Sequence, residues 1–234
     1  VSSKNQGAAS SAAVEQWFND LTERGQGIHA VKKDESGKVL SLMILGQARI
    51  HAHDPKDREL ALLASKEAAT WKTVALYAKW LSSQVAVQTG NNSRQEVAEG
   101  TIQHLQVLYV SVNNDSLVTT VVLGWKVMND SMTESNQKLP EMVVRCEDSF
   151  ETDIDTDCEH SVERIWIDGI LVVETDAKVC GSIGESHERQ WHSNGCPFVD
   201  VALKADEHKG RIETAGSFWN KSGKQSVVNE TFQD

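Results

Sequence analysis

The chain of 234 residues is long enough for one large domain or two small ones with a buried core. Its 34 Asp and Glu outnumber its 23 Lys and Arg, a formal net charge of -11, and without a basic stripe nucleic acid and anionic membrane surfaces are poor partners. No window holds the ~18 consecutive apolar residues that a membrane-spanning helix needs.

Residues 1–13 are small and polar and read as an arm, either the end left by a signal peptidase or the start of an ordered region. Residues 12–24 predict a short amphipathic helix with Val14, Trp17, Phe18 and Leu21 on its apolar side, ended by Gly25-Gln26-Gly27. Two strands follow at 27–31 and 39–50, joined by a polar loop with Gly37 where a hairpin wants positive φ. Asp54-Pro55 opens the longest element: Asp at the N-cap, Pro in the first turn, then Asp57 and Glu59 near the positive end of the dipole. Ala61, Ala64, Ala68, Trp71, Ala75 and Ala78 recur at three- and four-residue steps and so share one face of this helix, which is expected to reach about residue 87. Small side chains on one face allow close approach to a sheet or a second helix.

Beyond Thr89-Gly90-Asn91-Asn92-Ser93 the pattern predicts a weaker helix over 93–104, then strands at 105–112 and 117–128 around the turn Asn113-Asn114-Asp115-Ser116. The polar stretch 129–138 marks a linker. Short strands follow at 141–145, 162–167, 170–175, 198–203 and 211–218, with Asp168-Gly169 the clearest hairpin turn. The expected class is α+β. An N-terminal arm and short helix (1–24) precede a mixed-sheet domain built on one long Ala-rich helix (25–128), a linker (129–138) and a β-rich, disulfide-stabilised domain (139–234).

All four cysteines, Cys146, Cys158, Cys180 and Cys196, lie in that last part. Their even count, wide spacing and lack of a Cys-x-x-Cys pair favour two disulfides in an oxidising compartment over zinc or free thiols. Three pairings are open, and closeness in sequence favours Cys146–Cys158 with Cys180–Cys196. Asn-x-Ser/Thr triplets at Asn91, Asn114, Asn129, Asn220 and Asn229 fit an exported chain.

Three constellations carry potential chemistry. His51-x-His53-Asp54 would place two imidazoles on one side of a strand, with His29 as a third ligand from the neighbouring strand; the competing reading is a capped helix start with solvated histidines. Asp153-x-Asp155-x-Asp157 begins like a Ca²⁺-binding loop, but Cys158 stands where the invariant Gly belongs and Arg164 where the bidentate Glu belongs, so the competing reading is a solvated acidic loop. The stretch from His187 to Cys196 mixes His, Glu, Ser and Cys, yet Trp191 breaks the H-E-x-x-H pattern and Pro197 holds Cys196 extended, so no catalytic residue is assigned. Of seven tryptophans, Trp17, Trp71, Trp80 and Trp125 lie in apolar stripes and read as core. Trp166, Trp191 and Trp219 lie in the polar C-terminal half, where an exposed aromatic stacks on a sugar ring or on another subunit, and Trp191 and Trp219 are the candidates for such a surface.

The order strand–strand–long helix–strand–strand, with Gly46-Gln47-Ala48-Arg49 ahead of the Ala-spaced helix, resembles the LPP20 lipoprotein family and the related N-terminal domain of the flagellar ring protein FlgT. A Gly-x-Ala strand, Ala-x3-Ala helical spacing and a late hairpin mark those families. Here Gly46-x-Ala48, Ala64-x3-Ala68 and residues 107–125 take those places. The resemblance covers about residues 25–128 and leaves the cysteine-bearing half outside it. It implies an envelope or surface protein that assembles into rings, tubes or filaments, with no active site to carry over. Lipoproteins of that family begin with a lipidated Cys, a place that Val1 takes here.

These readings converge on a non-enzymatic, exported structural subunit of a homo-oligomeric surface or envelope assembly, located outside the cytoplasm. The alternative is a secreted glycan- or Ca²⁺-binding module, and no other cofactor is expected.

Overall fold

Small side chains decide the layering of this chain. The computed structural model describes residues 25–36, 39–52, 54–81, 85–90, 93–126 and 138–233. In chain order the elements are β1 (Gly27–Lys33), β2 (Val39–Arg49), α1 (Pro55–Leu81), β3 (Val85–Gly90), β4 (Ser93–Ile102), β5 (Gln106–Asn113) and β6 (Val118–Lys126). The remaining strands are β7 (Met142–Asp153), β8 (Cys158–Ile167), β9 (Ile170–Cys180), β10 (Ile183–Trp191), β11 (Pro197–Asp206), β12 (Arg211–Trp219) and β13 (Gln225–Gln233). Strands β1-β2-β6-β5 form a four-stranded sheet, and β13-β12-β11-β10-β9-β8-β7-β4-β3 form a nine-stranded one. Among the described residues every strand pairing is antiparallel, so the expected mixed sheet is not found there, and the α+β label holds only loosely for a chain that is mostly β.

Helix α1 lies between the two sheets. Asp54 caps it, with Oδ1 accepting from the Lys56 N–H at 2.9 Å and the carbonyl accepting from Asp57 and Arg58. The expected alanine face is buried: Ala61, Ala64, Ala68, Ala75 and Ala78 are each at most 1% exposed. Buried positions fall all round the helix, because each side meets a sheet. One core joins Leu42, Ile44, Val121 and Leu123 of the small sheet to Ala68, Ala75 and Ala78 and on to Ala98, Val144, Cys146, Ile165 and Val173 of the large one. A second core, near the start of the helix, gathers Ile50, Ala61 and Ala64 with Phe198, Val201, Phe218 and Val228. The far face of the small sheet is apolar too, with Leu45 and Val122 packed among Met43, Leu108 and Tyr109.

Several expectations are corrected. The helix ends at Leu81, and residues 85–90 form β3. Residues 93–102, expected to be helical, are strand β4, because each from Ser93 to Ile102 pairs with β7 and that long-range ladder overrides a run of helix-forming side chains. Through this pairing β3 and β4 enter the same sheet as the cysteine-bearing strands. The arm and short helix at 1–24 and most of the expected linker lie outside the described residues.

The cysteine pairing is also corrected. One disulfide joins Cys158 to Cys180, which stand opposite each other on β8 and β9 with Cα atoms 4.2 Å apart. Cys146 and Cys196 are free thiols. Cys146 pairs in register with Ile165, whereas Cys158 pairs with Asp153, seven residues away along β7, so ~23 Å separates the first expected pair. Cys196 lies in the β10–β11 turn, at the far end of β10 from the strand end that faces Cys180. Neither expected bond is within reach.

Candidate functional site

Alternation along β7 to β12 places charged side chains on the face turned away from the helix, and the register aligns them in rows across the strands. One row reads Glu147, Arg164, Glu174, Arg189, Asp200, alternating in sign across five strands. A second reads Glu151, His160, Lys178, Glu185, Lys204, Glu213. Arg164 Nε and Arg189 Nη1 donate to the two oxygens of Glu174 at 2.7 and 2.6 Å, and Lys204 Nζ donates to Glu185 at 2.6 Å. The Lys204 hydrogen bond and charge hold the Glu185 carboxyl below the usual carboxylate range, and Glu185 in turn raises the Lys204 ammonium. Exposed pairs of this kind contribute little individually, but a one-residue slip would turn a whole row from the solvent face to the helix side of the sheet.

Between the rows runs a middle line of Val162, Asp176, His187, Ala202 and Ala215. His160 Nε2 lies 2.9 Å from Asp176, and His187 Nε2 lies 2.5 Å from Asp200. Arg189 Nη2 is 3.1 Å from His187 Nδ1, and because a guanidinium only donates, the His187 ring proton sits on Nε2, aimed at Asp200. Ala202 and Ala215 help line a trough of about 750 Å³, walled by His160, Lys178, Glu185 and Lys204, with Cys158 of the disulfide among its lining residues.

A second cluster is buried on the inner face of the same sheet. Glu188 and Gln190 of β10 point at α1, and Gln190 Nε2 donates to Glu188 Oε1 at 2.6 Å. His51 Nε2 stands 3.2 Å and Lys72 Nζ 3.8 Å from Glu188 Oε2. Burial pushes the Glu188 pKa up, yet the charges of Lys72 and His51 and the Gln190 hydrogen bond outweigh it and hold the carboxyl far below the usual range. Lys79 bonds Asp148 nearby, and Glu163 is raised, chiefly by burial, against the pull of Lys72. Two lysines of the helix thus meet three carboxylates of the sheet in the interior, an arrangement that fixes how the layers sit on each other.

The predicted site residues fall as follows. His51 is buried against Glu188, while the His29 ring bonds the Gly25 carbonyl at 2.7 Å, and His53 lies outside the described residues. Asp153, Asp155 and Asp157 form the exposed β7–β8 turn, where Asp153 accepts from the Asp155 N–H and the Thr156 hydroxyl, the latter bond holding its pKa down. Among the described residues no three His, Cys, Asp or Glu side chains converge to hold a metal. Trp191 and Trp219 are half-buried at the ends of β10 and β12; Trp191 lies four residues beyond His187, ~13 Å along the strand from the trough. His192 stacks on Phe198 at 4.3 Å, and Cys196 is exposed in the turn. Trp80, read as core, is 38% exposed and stacks on Tyr77 at the end of the helix.

Sequence reasoning missed the inner cluster and the outer rows. Both were written in the alternation of Glu185-Ser186-His187-Glu188-Arg189-Gln190, whose two faces cannot be told apart until the register is known. Comparison with protein-family models, with curated proteins and with solved structures finds no match to this chain.

Proposed function

We propose that this chain is a non-enzymatic structural subunit that associates with copies of itself in an extracytoplasmic assembly. The observation that carries the reading is the open nine-stranded sheet, whose last strand, β13, ends it with an unbroken ladder and, among the described residues, pairs with no strand on its outer side. The cross-strand disulfide supports an oxidising location, and the resemblance of residues 25–128 to ring- and tube-forming envelope domains points the same way. On the outer face, acids and bases are engaged with one another across the strands, a use that holds register. Sedimentation of the full chain over a range of concentrations tests the reading. A mass that grows with concentration supports it, and a monomer throughout rejects it.

A second reading rests on the trough of about 750 Å³, which favours a polar, chain-like ligand such as a glycan lying across the strands. Glycan-array binding lost on Ala202→Trp, which fills the floor, would favour it over the first.

A further inference from the structure

We propose that β13 pairs edge to edge with β13 of a second copy of this chain, antiparallel about a two-fold axis through Asn229. This inference rests on the self-association reading above and specifies its contact. Among the described residues the two sheets have four edges, and three of them are broken. The β1 edge has register shifts at Ile28/Ala30 and Lys32/Lys33, the β5 edge one at Val107/Tyr109, and the β3 edge one at Gln88/Gly90. Bulges of this kind, with lysines and prolines, are how sheets discourage pairing. Strand β13 has none of these: Arg211↔Gln233 to Trp219↔Gln225 runs without a shift, and the strand contains no Lys, Arg or Pro. Its single charge, Glu230, accepts from the Asp54 N–H at 2.9 Å, at the cap of α1. Asn229 is exposed, and Val227 is 62% exposed, an aliphatic side chain left at the rim.

Strand direction selects the partner. The nine strands alternate in direction, and nine is odd, so β3 and β13 point the same way. Stacking copies head to tail would join β13 to β3 as a parallel pair, with slanted hydrogen bonds and a bulge in the way. A two-fold axis instead joins β13 to β13 antiparallel and continues the ladder in the form every other pair already takes. About Asn229 the contacts are Val228 to Glu230, Val227 to Thr231 and Gln225 to Gln233. Two β-branched side chains meet, and Glu230 faces an aliphatic rather than its own copy.

The test uses the full chain, made in a bacterial host that leaves Asn229 without a glycan, with circular dichroism to confirm folding. Asn229→Lys and Asn229→Asp each set like charges on the axis, and each is expected to weaken self-association about five- to tenfold. An equal mixture of the two is expected to restore it as a mixed dimer, seen by native mass spectrometry. Separately, Asn229→Cys in a Cys196→Ser background should oxidise to a linked dimer, whereas Val227→Cys, which meets Thr231, should not. Wild-type association unchanged by both charge variants, with no link through Asn229→Cys, overturns the β13 contact and leaves the self-association reading intact. A wild-type chain that stays monomeric at all concentrations overturns both.

Discussion

A Cβ built on Gly46 would stand 2.1 Å from the Thr73 Oγ1 atom. Gly46 is the point on β2 where the α1 backbone comes against the sheet, since the same Cβ would lie 2.8 Å from the Ala69 carbonyl and the Thr73 nitrogen. The Thr73 hydroxyl is itself tied to the Ala69 carbonyl at 2.6 Å and cannot swing clear without losing that bond. Gly46→Ala is therefore expected to cost about 1–3 kcal/mol, read as a melting temperature several degrees lower. Adding Thr73→Ala should recover only part of the loss, because the backbone contacts remain.

The alanine face gives a parallel test. Ala68 and Ala75 are fully buried, with sheet on either side of the helix. Replacement of either by Leu overpacks the sandwich, with an expected loss of about 1–3 kcal/mol in urea denaturation. Unchanged midpoints for both would place that face outside the core.

The helix, its cap and its packing face were legible in the sequence because each is written locally, in Asp54-Pro55 and in alanines at helical spacing. So was the turn at Asp168-Gly169, where both residues take positive φ, as a two-residue hairpin of the primed type requires. What the sequence hid depends on partners far away in the chain. Residues 93–99 carry helix-forming side chains and become a strand because β7 pairs with them. The disulfide is an intermediate case: counting outward from Asp168-Gly169 brings Cys158 within one position of Cys180, and the bulge at Ile165/Trp166 supplies that position. Proximity along the chain was the wrong ruler; proximity across the hairpin was the right one. The Glu188 cluster had no such local sign, since a Glu beside His187 and Arg189 reads as surface until the strand's inner face is known.

Thiol counting separates the observed pairing from the expected one. Native, unreduced protein should take one alkyl group, at exposed Cys196, and a second, at Cys146, only when unfolded. Burial drives the Cys146 thiol pKa up to about 11, so this group is both hidden and protonated at neutral pH. Mass spectrometry of alkylated digests reads both sites, and a native protein with no reactive thiol would contradict the assignment.

Removing the Cys158–Cys180 bond tests how far the large sheet relies on it. The bond closes a sequence separation of 22 residues, for which chain-entropy arguments give about 3 kcal/mol. The Cys158→Ser/Cys180→Ser variant should unfold at correspondingly lower urea concentration, and equal midpoints would show the β8–β9 ladder to be sufficient alone.

The inner cluster predicts opposite pH behaviour for two neighbouring glutamates. Glu188 is held ionised by Lys72 and His51, so its stabilisation is complete above the unfolded glutamate value of about 4.3 and declines as pH falls toward its lower folded value. Glu188→Gln should cost about 3–5 kcal/mol at pH 7, with the gap to wild type narrowing below about pH 4. Glu163 is raised by burial, so wild type loses stability as pH rises from about 4.3 through the higher folded value. Glu163→Gln escapes that loss and should be the more stable protein at pH 7, with no advantage below about pH 4. Urea titrations of both variants at acid and neutral pH read the two signs directly.

The order of strands in the large sheet has a consequence in time. From β7 to β13 each strand pairs with its neighbour in sequence, so that part forms by successive short loop closures. Strand β4 reaches β7 only after the chain has left to build β5 and β6 in the other sheet, and α1 must then be enclosed from both sides. Pulsed hydrogen exchange during refolding should therefore find the amides of β8 to β12 protected first and those of β4 last, with the helix gaining full protection together with β4.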